Sequence, residues 1–446
     1  MIGIQQGIAN RRAVVWLGLL IPWLMAHHPG FPSPLDMVPL EEEDWVLVTT
    51  PGFVSSAQER ELICKEAFGA TGLLYAAVMG PTHFAVENED GLAVTVDGCD
   101  VQYFYPLSGW IVDLASRGGE RLAFVVDEVD EDRLYWSVDG GASLAGDLGI
   151  DPDLTVTAVD WIDDRQVVLS AFHEANFTDR GSGRLVVVDI VDQTTREVVL
   201  EEGLQFPYLM ATDSDALVLA ARVGQGIELV WGPLDDPDRH RVELEIWPLR
   251  AAIGEGGEVY VVLFEIYAEW TGLAIATDEG LSTQPRFSHR DVRCVVVDAG
   301  GLWLCSSGIA EAYELWRVDG AEEPKPFYRL AYLEGPRSDC PADSAVAQTC
   351  PQLWEQVVDE IPRRPLEIEE EPGLDEPTLP EWLEETIDGA EQIPLEEEDE
   401  DSSGRCAQVA GGPVGLWWVV VLVWGAMVVL GRARRGAGRV GRRFAC

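Results

Sequence analysis

The chain has 446 residues, of which 31 are Lys or Arg and 78 are Asp or Glu, and its formal net charge is −47. So large a negative charge repels the phosphates of nucleic acids and anionic membrane surfaces, and it argues against a mainly anionic substrate. We therefore expect no nucleic-acid partner.

The first 26 residues have the layout of a secretory signal. Arg11 and Arg12 precede an apolar stretch, residues 13–26, that ends at the small residue Ala26. The stretch is short for a membrane-spanning helix, and Pro22 interrupts it. The pattern favours a cleaved signal peptide over a retained anchor, and it predicts that the rest of the chain is exported.

Residues 42–335 have an all-β pattern. Short runs rich in Val, Leu, Tyr and Trp alternate with turns rich in Gly, Asp and Pro. The runs fall into groups of four that recur about every 45 residues, which is the period of a propeller blade. Six full groups lie between residues 73 and 332, and an incomplete group comprises residues 45–50 and 61–68. The pattern predicts a six- or seven-bladed β-propeller, and the alternatives are a β-sandwich or two stacked barrels.

One motif recurs at predicted turns between the third and fourth strands of a group. Ser137, Asp139 and Gly141 fit the Asp-box pattern S-x-D-x-G-x-[ST]-W, with Leu144 in place of the tryptophan. Weaker copies contain Asp97, Asp278 and Asp319. In such turns the Asp accepts backbone N–H bonds, and Gly supplies a left-handed conformation.

These boxes resemble those of sialidase-type and sortilin-type propellers. The resemblance implies a propeller in which the boxes stabilise turns away from the ligand face. A sialidase also needs an arginine triad and an Arg-Ile-Pro motif, and this motif is missing here.

Six cysteines lie in the predicted exported body, where disulfides persist. No C-x-x-C motif occurs and the histidines are scattered, so disulfides are favoured over a metal site. Spacing suggests three pairs: Cys294 with Cys305 across a four-residue turn, Cys340 with Cys350, and by elimination Cys64 with Cys99.

No catalytic motif was found, since the chain lacks G-x-S-x-G, H-E-x-x-H and P-loop patterns. Glu265, in the apolar run of residues 261–267, is the one isolated acid of interest, although an ordinary strand residue explains it as well. We expect no cofactor, with weak calcium binding by acidic loops as the alternative. Four tryptophans could stack on sugars or pack between blades: Trp110, Trp161, Trp231 and Trp247.

Two segments follow the predicted propeller. Residues 336–362 are predicted to form a cap of two short helices. A disulfide between Cys340 and Cys350 would link the ends of the first helix, and the second would cover residues 352–361. Residues 363–405 form an acidic stretch, within which residues 366–402 hold 17 acidic and no basic residues. Charge repulsion and few apolar residues predict a disordered stalk.

The C-terminal residues 406–446 read as a sorting tail. An uncharged apolar run, residues 414–431, is near the lower limit of length for a helix that crosses a bilayer core of about 30 Å, and it predicts a membrane span. The Arg-rich end after it predicts a cytoplasmic side. Cys406 with its Gly-rich spacer, the helix and the basic end resemble the MYXO-CTERM tail of myxobacterial surface proteins. The resemblance implies a sorting protease that processes the chain at Cys406, and display on the outer surface of a Gram-negative bacterium.

These features predict an exported, cell-surface-anchored propeller that acts as a non-catalytic binding or adhesion module for an extracellular protein or glycan. The alternatives are a secreted glycosidase or lyase on the same scaffold, and an envelope assembly factor that stays in the inner membrane.

Overall fold

The structure is a computed structural model. It describes residues 33–360, apart from these stretches: 41–43, 59–60, 71–74, 130, 174–182, 202, 214–215, 225, 245, 255, 266–269, 278–279, 284–291, 299–300, 307–312 and 319–323. The predicted signal, stalk, membrane span and Cys406 lie outside the described residues. No helix within the described residues is long and apolar enough to span a membrane.

Seven antiparallel sheets of four consecutive strands form the body, so the chain is a seven-bladed β-propeller. Blade 1 contains β1 (Pro34–Pro39), β2 (Trp45–Thr49), β3 (Gly52–Ser55) and β4 (Glu61–Cys64). Blade 2 contains β5 (Ala76–Val78), β6 (Phe84–Asn88), β7 (Gly91–Thr95) and β8 (Tyr103–Pro106). Blade 3 contains β9 (Trp110–Arg117), β10 (Arg121–Asp127), β11 (Asp132–Ser137) and β12 (Gly146–Gly149).

The remaining blades repeat the same order. Blade 4 contains β13 (Leu154–Trp161), β14 (Gln166–His173), β15 (Gly183–Asp189) and β16 (Thr194–Val199). Blade 5 contains β17 (Gln205–Thr212), β18 (Leu217–Val223), β19 (Gly226–Gly232) and β20 (His240–Leu244). Blade 6 contains β21 (Pro248–Ile253), β22 (Val259–Glu265), β23 (Trp270–Thr277) and β24 (Gly280–Thr283). Blade 7 contains β25 (Val292–Asp298), β26 (Gly301–Ser306), β27 (Leu315–Val318) and β28 (Lys325–Tyr328).

The apolar core lies between the blades. Each of seven buried clusters takes its side chains from two neighbouring blades, and together the clusters cover every interface of the ring. The interface between blades 7 and 1 contains Trp45 and Trp303, so the ring is closed by packing. A four-stranded sheet with two apolar faces cannot bury both alone, and this explains why the pattern requires a ring of blades.

Blade 1 is complete and begins earlier than the predicted start of the propeller at residue 42. Its first strand, Pro34–Pro39, pairs with β2, and all four strands come from the N-terminal part of the chain. A fifth strand, β29 (Gly335–Pro336), adds to the outer edge by pairing in parallel with β4. Among the described residues, the C-terminal side contributes only β29, at the outer edge of blade 1, and the contact between blades 7 and 1 is one of side-chain packing.

One helix, α1 (Ala345–Glu360), follows the propeller, where two short helices were predicted. Pro351 lies inside it and lacks the N–H of a normal helical residue. The helix continues because both halves are packed: Val346 and Cys350 are buried beside blades 1 and 2, and Trp354 packs against the blade 7–1 interface. Tertiary contacts therefore override the local helix-breaking tendency of proline.

All six cysteines of the body form disulfides, but only one predicted pair is correct. Cys294 and Cys305 are opposite each other on β25 and β26 and are bonded, as predicted. The predicted pairs Cys64–Cys99 and Cys340–Cys350 are wrong, because Cys64 is bonded to Cys350 and Cys99 to Cys340. The segment after blade 7 crosses to the outer edges of blades 1 and 2, and this brings cysteines far apart in sequence together.

Candidate functional site

The innermost strands of the blades carry a recurring irregularity. In β1, β9, β13, β21 and β25 one residue is skipped in the pairing with the second strand. The skipped residues are Leu35, Val112, Thr157, Leu249 and Arg293. Such bulges bend a strand and redirect its side chains, and they are frequent beside binding sites. Here they lie on the strands that surround the central axis.

An axial cavity of about 370 Å³ lies among these strands. Each of the seven blades contributes a polar side chain to its wall: Asp36, Tyr75, Asp113, Asp160, Tyr208, Arg250 and Arg293. The volume is at the lower end of the roughly 300–1,000 Å³ that is usual for small-ligand sites. This ring of polar side chains, which we call the axial ring, is the candidate functional site.

Arg250 gives the axial ring a cationic side. Its Nη1 donates a hydrogen bond to the Leu249 carbonyl at 3.2 Å, and its Nε lies 4.0 Å from Asp36 Oδ2. The side chain is still 40% exposed, because it faces the open cavity. Burial acts to lower the pKa of Arg250, but the nearby acidic groups, first of all Asp36, raise it above its ordinary value. Arg293 lines the same side from blade 7.

Asp113 and Asp160 give the ring an acidic side, on blades 3 and 4. Asp113 Oδ2 accepts a hydrogen bond from the Val159 N–H at 2.9 Å, which joins the two blades. Burial raises the pKa of Asp113 to about 7, although backbone N–H groups act in the opposite direction. Asp160 accepts hydrogen bonds from the Trp161 N–H and the Thr212 hydroxyl, and burial also raises its pKa.

Two tyrosines separate the charged sides. Burial, followed by the charge of Asp113, raises the pKa of Tyr75 to about 12. The same two causes, in the same order, raise the pKa of Tyr208 further. Both phenols are therefore neutral at physiological pH and can donate hydrogen bonds. With arginines, aspartates and phenols facing one small cavity, the ring can bind a ligand that carries both positive and negative groups.

The turn that contains Ser137, Asp139 and Gly141 joins β11 to β12. Asp139 accepts hydrogen bonds from the Ser137 hydroxyl at 2.8 Å, the Ser143 N–H at 2.9 Å and the Ser143 hydroxyl at 2.7 Å. Gly141 has a φ of 79° and donates its N–H to the Ser137 hydroxyl. Partial burial acts to raise the pKa of Asp139, but the bonds from Ser143 and Ser137 lower it below its ordinary value. The turn is thus closed by hydrogen bonds among residues 137–143 and by a glycine with a positive φ.

This turn also joins blade 3 to blade 2. The Gly141 carbonyl accepts a hydrogen bond from the Tyr105 hydroxyl, and the Gly140 carbonyl lies 2.7 Å from His83 Nε2. The turn lies outside the axial ring, since none of its residues lines the cavity. Its role in the structure is the packing of two blades.

Asp97 lies in the loop after β7 and accepts N–H bonds from Cys99 at 2.9 Å and Asp100 at 3.3 Å. The loop thereby places Cys99 for its bond to Cys340. Asp278 and Asp319 lie outside the described residues. The assignment of the four turns to the Asp-box motif stays a prediction.

The other residues singled out from the sequence lie in different surroundings. Trp161 and Trp231 are buried in the core, Trp247 is half-buried, and Trp110 is 57% exposed. Glu265 ends β22, and its side chain lies outside the described residues. In the described part of the chain, one group of three potential metal ligands was found: Cys99, Asp339 and Cys340. Both of its sulfurs are in a disulfide, so they are not available to a metal.

The axial ring itself was not found by sequence reasoning. A signal exists, because an apolar residue precedes each polar residue near the start of several innermost strands, as in Leu35-Asp36, Val112-Asp113 and Leu249-Arg250. Each polar residue interrupts an apolar strand.

Comparisons with known proteins show the fold alone. No protein-family model matches the chain, and no curated protein matches it. Among solved structures, the β-propeller domain of the trilobed protease from Pyrococcus furiosus is 13% identical, with 68% of this chain and 97% of that chain covered and a TM-score of 0.45. The acylaminoacyl peptidase of Pyrococcus horikoshii is 13% identical, with 67% and 52% covered and a TM-score of 0.43, so this chain spans about half of that enzyme. The Dos1 propeller is 11% identical, with 63% and 91% covered and a TM-score of 0.44.

Proposed function

We propose that the chain is an exported β-propeller, anchored at the cell surface, that acts as a non-catalytic binding module for an extracellular protein or glycan. The observation that carries the proposal is the axial ring. One polar side chain from each of seven blades faces a single cavity, and charged residues are costly to keep inside a protein without a purpose.

The sequence at the two ends supports the location. The signal-like residues 1–26 would direct export, and the apolar residues 414–431 would hold the chain in the inner membrane. A sorting protease that acts at Cys406 would then release the body for display on the outer surface. The acidic stalk, residues 363–405, would separate the propeller from the membrane.

The binding function is tested with the full-length chain in detergent, which is applied to arrays of surface glycans and extracellular proteins. We expect at least one ligand class to bind wild type and to lose at least tenfold in affinity in Arg250→Gln. The matched control is Arg196→Gln, because Arg196 is exposed on β16, the edge strand farthest from β13 in blade 4, and is not among the cavity-lining residues. If Arg250→Gln binds the ligand with the affinity of wild type, the axial ring is not the binding site.

The location is tested by proteolysis of intact cells. Digestion of the propeller from outside supports display, whereas a protected body would favour the role of an inner-membrane assembly factor. Cys406→Ala should leave the chain in the inner membrane if sorting depends on that residue. Release of Cys406→Ala to the surface would refute processing at this position.

A glycan-active enzyme is the second candidate, and one observation favours it. The pKa of Asp113, raised to about 7 by burial, is suited to a general acid. Turnover of a glycan by wild type and its loss in Asp113→Asn would establish this enzyme and exclude the purely binding role.

A further inference from the structure

We infer that the axial ring binds a short peptide with free ends, holding its carboxylate at Arg250 and its ammonium group at Asp113. The inference rests on the proposed function, since it names the ligand class of the same cavity. Three observations support this ligand class: the placement of the charges, the hydrogen-bonding groups and the size of the cavity.

Four of the five charges of the ring are separated across the axis; the fifth, Asp36 of blade 1, lies beside Arg250. Arg250 and Arg293 belong to blades 6 and 7, whereas Asp113 and Asp160 belong to blades 3 and 4. Blade 3 and blade 6 are three steps apart in a ring of seven, so the two sides face each other across the cavity. A ligand that spans the cavity therefore meets a cation at one end and a carboxylate at the other.

Arg250 has donors for an oxyanion. Within the described residues, one hydrogen bond of its guanidinium is seen, from Nη1 to Leu249, and Asp36 lies 4.0 Å from Nε. The remaining N–H groups of the planar guanidinium form the fork that binds a carboxylate through two parallel hydrogen bonds. A peptide carboxylate fits this fork.

Asp113 has a corresponding acceptor for an ammonium group. Its Oδ2 is bonded to the Val159 N–H, which fixes the carboxyl group at the cavity wall. A peptide ammonium placed beside it would stabilise the ionised form, which burial alone disfavours. The site thus favours a ligand that brings its own positive charge.

The size and wall of the cavity define the ligand further. Between the charged sides lie Tyr75 and Tyr208, and Met210 adds a half-buried apolar residue to the wall. About 370 Å³ is too little for a folded domain and suits a small ligand with apolar side chains. A zwitterion has no net charge, so the field of a chain with charge −47 does not repel it as it would a polyanion.

The test uses the full-length chain in detergent and isothermal titration with short peptides of Gly, Ala and Leu. Each peptide is compared in four forms: free at both ends, N-acetylated, C-amidated and blocked at both ends. We expect the free form to bind, and each block to lower its affinity at least tenfold. Equal binding of free and blocked forms, or no binding of any free form, would overturn the inference without the use of a variant.

Two variants test which residue binds which end of the peptide. Arg250→Gln should bind the C-amidated peptide as tightly as the free acid, but should still prefer a free amine to an acetylated one. Asp113→Asn should bind the N-acetylated peptide as tightly as the free amine, but should still prefer the free acid to the amide. Arg196→Gln should keep both preferences, and circular dichroism checks that all variants are folded. If no free peptide binds but Arg250→Gln lowers the affinity for a ligand found on the arrays, the inference is wrong and the proposed function stands. If no ligand of any class binds, both are wrong.

Discussion

Glu314 shows how the propeller holds an acid in its core. The side chain is 3% exposed, and its Oε2 accepts a hydrogen bond from the Leu330 N–H at 2.8 Å. Its backbone bonds to Ser306 and Tyr328 lie within blade 7, and its side-chain bond to Leu330 joins the blade to the segment that leaves it. Burial raises the pKa of Glu314 to about 7, although the Leu330 N–H and Arg329 act to lower it.

This raised pKa predicts a pH-dependent stability. A carboxyl whose pKa is higher in the folded state contributes stability below its unfolded pKa, near 4.5, and loses it as the pH rises through about 7. Glu314→Gln keeps an acceptor for Leu330 but cannot ionise. We expect its free energy of unfolding to equal that of wild type near pH 4.5 and to exceed it at pH 8 by up to about 3 kcal/mol.

Urea unfolding at both pH values measures the difference. Glu120→Gln is the control, because Glu120 is exposed and its side chain should contribute little at either pH. A constant difference between Glu314→Gln and wild type across the pH range would contradict the prediction.

Asp139 leads to a prediction about the turn of blade 3. Asp139→Ala removes the acceptor for the Ser137 hydroxyl and for the N–H and hydroxyl groups of Ser143. Hydrogen bonds to a charged group are stronger than neutral ones, so we expect a loss of about 2 kcal/mol in the free energy of unfolding. Asp235→Ala, at an exposed acidic position, should change it by less than about 0.5 kcal/mol. Similar losses in the two variants would refute a structural role for the turn.

At this scale the sequence predicts what is local. The contacts of Asp139 lie within four residues, so the pattern alone indicates them. Arg250 and Asp113 are separated in the chain by two whole blades, and they face one cavity only because the ring is closed. No local sequence pattern spans that separation, and this explains why the axial ring was not predicted.

The segment after blade 7 is the element that ties the two ends of the propeller together. Cys340 precedes α1 and is bonded to the loop after β7, whereas Cys350 lies within α1 and is bonded to the end of β4. β29 pairs with β4 a few residues before the first of these two attachments. Spacing alone suggested pairs close in sequence, but the docking of the segment on blades 1 and 2 determines the pairing.

Removal of one of these disulfides tests the attachment. With Cys99–Cys340 present, Cys64–Cys350 closes an effective loop of about 45 residues, and the chain-entropy relation gives about 4 kcal/mol for it. We expect Cys64→Ala/Cys350→Ala to lose that amount and to expose the amides of α1 to hydrogen exchange. Cys294→Ala/Cys305→Ala, which opens a loop of 11 residues within one blade, should lose less and leave α1 protected. Unchanged exchange in α1 in the first variant would contradict the prediction.

At the scale of the whole molecule, the propeller was predictable because its period is a property of the sequence. Four strands in each blade are joined by turns whose residues are recognisable, and a sheet with two apolar faces must pack on its neighbours. The mode of closure was not predictable in the same way. Blade 1 receives its four strands from one end of the chain, and only the structure shows that β25 and β1 pack together without exchange of a strand.

A truncation tests how the ring is kept closed. A chain that ends at residue 365 keeps the first compact unit, whereas a chain that ends at residue 334 loses β29, α1 and the partners of Cys64 and Cys99. Both chains retain every strand of the seven blades. If the segment after blade 7 holds the ring closed, the shorter chain should lose about 9 kcal/mol, because the chain-entropy relation gives about 5 for Cys99–Cys340 and about 4 more for Cys64–Cys350.

The loss should be located at one interface. The apolar contact between blades 7 and 1 includes Leu333 together with Trp354 and Val357 of α1, and the last two disappear in the shorter chain. We therefore expect faster hydrogen exchange in β1 and β25, and unchanged exchange in β13 and β17 on the far side of the ring. Uniform acceleration in all blades would mean general destabilisation, and equal exchange in the two truncated chains would show that packing alone closes the ring.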